Sequence, residues 1–154
     1  EKVPFMQGML EAVMHRANKV GSIRTYLGRR CRFNLWEPSW FEIDPITKQP
    51  VFHKALPHTA AEIKWGGAIK RAGTYKALNR LIQGTAADQT KKAMVDVYEK
   101  LGVTPLIQVH DELNCSVKSD IMAREIKDIM ENCIKLEVPT KVEYKTKNNW
   151  GDAK

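Results

Sequence analysis

From Tyr75 to Leu101 the apolar residues return every three or four positions: Leu78, Leu81, Ile82, Ala86, Ala93, Val97 and Leu101. That is the period of an α-helix with one buried face, and Gly102 follows it as a stop. A few residues later the period changes to two. Leu106-Ile107-Gln108-Val109 and Leu113-Asn114-Cys115-Ser116-Val117 read as strands on either side of His110-Asp111-Glu112. Alternation puts Ile107 and Val109 on one face of the first strand, and Leu113, Cys115 and Val117 on one face of the second. The expectation is an α+β fold, with an antiparallel β-hairpin packed against long helices.

Other segments fill in this frame. Pro4 suits the first turn of a helix, because its missing N–H would be unpaired there anyway. The stripe Met6, Met9, Leu10, Val13, Ala17 and Val20 continues that helix, and Gly21 closes it. Ile23 to Phe33 reads as extended chain turning at Gly28, with Arg24, Arg29, Arg30 and Arg32 around the turn. Asn34 to Gln49, with Pro38, Pro45, Trp36 and Trp40, reads as loop or a short hairpin with Val51-Phe52 as its return strand. A weaker helix is expected from His58 to about Ala72, interrupted at Gly66-Gly67. Ser119 can cap a helix with the stripe Met122, Ile126, Ile129, Met130 and Cys133, and Lys141 to Lys145 is a candidate final strand.

At 154 residues, 43% of them hydrophobic and 28% charged, the chain can bury one core, so one domain (1–154) is expected, not a disordered segment. No apolar run approaches the roughly eighteen residues of a membrane span, so no membrane partner is expected. Cys31, Cys115 and Cys133 lack metal-ligand spacing and read as reduced thiols of an intracellular protein. His15, His53 and His58 also lack such spacing and read as surface histidines. The four tryptophans, Trp36, Trp40, Trp65 and Trp150, could stack bases, but anchoring of the 34–70 segment accounts for them more simply.

The net charge of +7 is unevenly spread. Residues 1–33 hold seven Lys/Arg against two acids, and residues 64–92 hold seven against one. Residues 34–63 hold two against four, and residues 93–154 nine against eleven. Two basic blocks suit a polyanionic partner, although a solvated basic face would explain the same charges.

His-Asp-Glu at a hairpin tip offers carboxylates to a hard cation such as Mg²⁺, which needs only one or two of them beside phosphates and water. Acidic residues also populate turns for their own reasons. Asn79 and Gln83, four apart, project from one face of the long helix. Amides there can donate to purine N3 and pyrimidine O2, acceptors common to all base pairs in the minor groove. Polar residues bordering a buried stripe are the plainer explanation.

The phrase Tyr75-Lys-Ala-Leu-Asn-Arg-Leu-Ile-Gln-Gly-Thr-Ala-Ala-Asp88, followed by Gln108-Val-His-Asp-Glu-Leu113, resembles family A DNA polymerases, the bacterial DNA polymerase I class. Thr25-Tyr-Leu-Gly-Arg-Arg30, Met130-Glu-Asn-Cys133 and Val138-Pro139 to Trp150 extend the resemblance over the chain, apart from an insertion at about 34–70. The phrase from Tyr75 to Gly84 and the insertion look more like phage members than bacterial repair enzymes.

The resemblance implies the C-terminal segment of a polymerase palm. Asp111 would be the metal ligand of the family's motif C, with Glu112 as its acidic neighbour and His110 near the primer 3′ end. Asn79 and Gln83 would touch the minor groove of the primer-template, and Arg29 and Arg30 its phosphates or sugars. Tyr75 stands where bacterial relatives tend to carry arginine. The reaction implied is DNA-directed DNA synthesis from deoxynucleoside triphosphates with two Mg²⁺ ions. The family's motif A aspartate and motif B helix are not found in residues 1–154, so the chain should be inactive without an upstream polymerase segment carrying both, from the same gene or a separate chain of a split polymerase. The cytoplasm of a bacterium or a phage-infected host is the implied compartment. The alternative is a non-catalytic DNA-binding or accessory subunit that keeps a palm-like fold.

Overall fold

The computed structural model of the chain describes residues 4–153, which group into two compact units divided between Ile82 and Gln83. Among them are four α-helices and three small antiparallel sheets, an α+β architecture. None of these helices is long and apolar enough to cross a membrane.

The first unit opens with α1 (Pro4–Val20). Its stop is Gly21, at φ 72°, whose N–H donates to the Ala17 carbonyl at 3.0 Å. The chain then forms a hairpin of β1 (Ser22–Arg24) and β2 (Arg30–Arg32), with Ile23 opposite Cys31 and Arg24 opposite Arg30. Gly28, at φ 88°, lies in the connecting loop, as the sequence suggested. Ala17, Ile23, Phe33 and Ala77 make the core of this unit, with Val13, Cys31 and Leu81 packed on them. Of the α1 stripe, Ala17 is buried and Leu10 and Val13 are half-buried. Met6 and Met9 remain 45% and 40% exposed among the described residues, and Val20 is exposed too.

Residues 34–70 form a three-stranded sheet beside a helix. Strand β3 (Leu35–Pro38) runs antiparallel to both β4 (Leu56–Pro57) and β5 (Ile69–Arg71), and α2 (His58–Trp65) joins the last two. Two expectations are corrected here. The helix does not continue to Ala72: Gly66 turns the chain at φ 67°, and Ile69–Arg71 then finds backbone partners on β3. Val51-Phe52 is not a return strand. The pairing is a single bridge between Ile43 and Pro50, closed by the Asp44 N–H to Gln49 carbonyl and Val51 N–H to Glu42 carbonyl bonds of 2.9 and 3.0 Å, and it does not grow into a strand. Asp44 turns the tip of this finger. Its carboxylate accepts the Thr47 and Ile46 N–H groups at 2.7 and 2.8 Å, which lowers its pKa.

A short 3₁₀ turn, Thr74–Lys76, leads into α3 (Ala77–Leu101), which crosses from the first unit into the second. Its inward face is more polar than the apolar stripe implied. Ile82 and Ala86 are exposed, whereas Asp88, Thr90 and Asp96 are buried beside Ala93 and Val97. Asp96 is tolerated there because Lys92 and Lys100, one turn to either side, approach it at 2.5 and 3.7 Å.

In the second unit Gly102, at φ 65°, ends α3, and β6 (Pro105–Val109) pairs antiparallel with β7 (Glu112–Cys115). Helix α4 (Asp120–Asn132) begins at Ser119, whose hydroxyl accepts the Met122 N–H at 3.3 Å. Val97, Val103 and Ile126 form the core, with Leu101, Cys115, Val117, Met122, Ile129 and Met130 around them. The hairpin therefore packs on both long helices through β7, while Leu106, Ile107 and Val109 of β6 stay exposed. Lys141–Lys145 is not a strand. Side chains hold it instead: Glu131 accepts the Val142 N–H at 2.8 Å, and the Tyr144 hydroxyl lies 3.4 Å from Asp120 and 3.3 Å from Arg124.

Candidate metal and nucleic-acid sites

The register of the second hairpin decides where its carboxylates stand. Gln108 faces Leu113 and Val109 faces Glu112, so His110 and Asp111 alone make the turn. Two-residue hairpin loops need positive φ to match the twist of the strands, and His110 supplies it at φ 53°. The Gln108 side-chain amide donates to the His110 carbonyl and holds that peptide in place. Asp111 is exposed at the tip, and Glu112, also exposed, is the first residue of β7. The turn and the ladder thus fix the backbone of two consecutive carboxylate residues, both with exposed side chains.

These donors fit a hard cation that retains water and phosphate ligands, as Mg²⁺ does. They do not make a closed cage: among the described residues no group of three or more His, Cys, Asp or Glu is placed to hold a metal. Burial pushes the Cys115 thiol up, and the same holds for Cys133, so both favour the protonated form rather than the thiolate a soft metal would need.

The first hairpin carries a basic face. Arg24, Arg30 and Arg32 are exposed, while Ile23 and Cys31, at the alternate positions, turn into the core. Arg24 faces Arg30 directly across the ladder and donates to the Gly28 carbonyl at 2.9 Å. The loop is tied by Thr25, whose hydroxyl accepts the Arg29 N–H at 3.0 Å. Arg29 and Arg30 thus sit together at the end of this hairpin. Sequence reasoning singled out those two as contact residues and passed over Arg24 and Arg32. Strand alternation was the signal that could have found them.

Asn79 and Gln83 both lie in α3, one turn apart and both exposed. Tyr75 is 62% exposed in the preceding 3₁₀ turn. Arg29, Arg30 and Asn79 belong to the first unit; Gln83, His110, Asp111 and Glu112 belong to the second.

The tryptophans of residues 34–70 are packing groups, with partners the sequence did not indicate. His53 meets Trp40 and Trp65 edge-on, at 5.4 and 5.8 Å between ring centres, and lies 2.9 Å from Glu42. His58 meets Trp36 at 4.6 Å. His53 is therefore part of an aromatic cluster and not a free surface histidine, whereas His15 is exposed.

Comparison with known proteins follows the same lines. A family model for DNA polymerase family A matches residues 1–152. A DNA-directed DNA polymerase of Pseudomonas phage M6 is 39% identical over 150 residues, which is 97% of this chain and 18% of that polymerase. The thermostable DNA polymerase I of Thermus aquaticus is 28% identical over 160 residues, covering 100% of this chain and 16% of its own length. Among solved structures, the POL domain of Pol1 from M. smegmatis, in complex with DNA primer-template and dNTP, is similar with a TM-score of 0.56 and 28% identity. That match covers 86% of this chain and 20% of the Pol1 chain. The chain spans less than a fifth of the length of either curated relative.

Proposed function

The chain belongs to DNA polymerase family A, and from that premise we propose that it is the C-terminal palm segment of a DNA-directed DNA polymerase, contributing the motif C carboxylates to nucleotidyl transfer. The observation that carries the reading is the hairpin register, which leaves Asp111 exposed at a two-residue turn in a chain matched by the family model over residues 1–152.

Asp111 is the proposed metal ligand. Glu112, its neighbour in β7, acts through hydrogen bonds and charge around the same position. When bound, Mg²⁺ supplies positive charge that stabilises the transferring phosphoryl group. His110, fixed by its own backbone and by Gln108, lies beside the primer 3′ end in this reading. Asn79 and Gln83 donate to minor-groove acceptors of the primer-template, and Arg29 and Arg30 pair with phosphates or sugars. Two consecutive carboxylates cannot bridge a pair of ions unaided. The reaction therefore also requires the upstream segment with motifs A and B, and deoxynucleoside triphosphates as substrate.

Primer extension by the complete polymerase tests the assignment. Asp111→Asn removes the charge that holds the cation and should lower the extension rate on the order of 10³-fold, with the Kd for primer-template nearly unchanged. Glu112→Gln should cost only about tenfold, as expected when a supporting contact is lost. Normal extension by the Asp111→Asn enzyme would refute the reading.

A further inference from the structure

In the first unit the guanidinium of Arg71 joins three segments. It is the last residue of β5, directly opposite Trp36 in the ladder, and its guanidinium lies 4.7 Å from that ring. Its Nε donates to the Asn18 carbonyl at 3.0 Å, in the last turn of α1, where the helix dipole favours a cation. Its Nη1 donates to the Phe33 carbonyl at 2.9 Å, immediately after β2. The Phe33 N–H in turn donates to the Gly21 carbonyl at 2.8 Å, which closes the open end of the β1–β2 hairpin. The guanidinium lies so close over Gly21 that a Cβ there would come within 2.7 Å of its Cζ and Nη1. Gly21 thus has two reasons to be glycine, its positive φ and this close approach.

We infer that Arg71 is a positioning residue for the basic face of Arg24, Arg30 and Arg32: through it, residues 34–70 fix the base of the hairpin and so the aim of those three arginines at DNA. The inference rests on the proposed reading of Arg29 and Arg30 as phosphate contacts and extends it to Arg24 and Arg32, which share the exposed face with Arg30. The arrangement needs a planar fork. Two carbonyls in different directions and an aromatic face occupy three separate surfaces of the guanidinium, and an ammonium cannot reproduce that geometry. A charge-conserving change should therefore disturb DNA contact.

The test uses the complete polymerase, with Kd for primer-template measured by fluorescence anisotropy over a salt series, and KM for DNA and kcat from steady-state extension. Replacing Arg24, Arg30 and Arg32 together by Gln should weaken binding and flatten the dependence of log Kd on log salt by about two to three units. Arg71→Lys should raise the KM for DNA about fivefold, the scale of coupling between contacting groups, with kcat little changed. In the triple-Gln background the same Arg71→Lys change should add less than about twofold, because coupled effects are not additive. Gly21→Ala, which displaces the guanidinium and leaves its charge in place, should repeat the pattern. An equal loss from Arg71→Lys in both backgrounds, or no loss in either, overturns the inference while the DNA-contact reading stands. If the triple-Gln enzyme binds DNA normally, the face of Arg24, Arg30 and Arg32 is not a DNA contact, and the inference falls.

Discussion

Asp111 and His110 divide the work of one turn. His110 takes the positive φ, which leaves Asp111 to present its carboxylate from a conformation that L-residues adopt without strain. The tripeptide was legible in the sequence because two period-two runs end on either side of it. Which two residues form the turn was not, since a shift of one position keeps the same apolar count and moves every side chain to the other face. Arg71 was not legible at all. Two of its three partners are backbone carbonyls, and carbonyls leave no trace in side-chain identity. Asn79 and Gln83 were legible only as a pair of exposed amides at helical spacing. In the proposed role each senses base-pair shape, so Asn79→Ala or Gln83→Ala should slow extension, above all from a mismatched primer end, by about 5–30-fold per lost hydrogen bond. Primer-template Kd should change by less than about threefold. Loss of all DNA binding in either variant would contradict the minor-groove assignment.

Among the elements, periodicity identified α1, α3, α4 and the second hairpin, and the turn at Gly28 marked the first. The misread segments have no repeating buried face. Val51-Phe52 is apolar, yet Phe52 is 91% exposed, and the pairing beside it is a single bridge. Lys141–Lys145 alternates like a strand, but its partners are side chains of α4 rather than a neighbouring backbone. That tether has a pH signature. The Val142 N–H first, and Lys127 second, hold the Glu131 carboxyl below the ordinary glutamate range. A depressed carboxylate contributes its full stabilisation above its unfolded-state pKa and loses it as pH falls through the folded-state value. The segment around Val142 should therefore stay protected at neutral pH and loosen as pH drops beneath the glutamate range. Hydrogen exchange at the Val142 amide, followed by NMR against pH, checks this. Glu131→Gln should remove most of the pH dependence, and an unchanged acid transition in that variant would show that another group controls it.

For the whole molecule, composition bounded the class and charge suggested the partner, but only the order of motifs identified the family. The two units could not be foreseen, because α3 runs unbroken through the boundary between them and its sequence shows no break at Ile82 and Gln83. The basic blocks at 1–33 and 64–92 predict that DNA affinity falls steeply with salt and varies little with sequence, as counterion release requires. Anisotropy titrations at two salt concentrations on two unrelated duplexes would show this, and salt-independent affinity would count against it. The central claim concerns catalysis. The direct measurement is primer extension with purified chains: this one alone, the polymerase segment carrying motifs A and B alone, and the two together, with Mg²⁺ and all four deoxynucleoside triphosphates. The account predicts extension only from the mixture, and its disappearance when this chain carries Asp111→Asn. Extension by the motif A and B segment alone, or undiminished extension by the Asp111→Asn mixture, would contradict it.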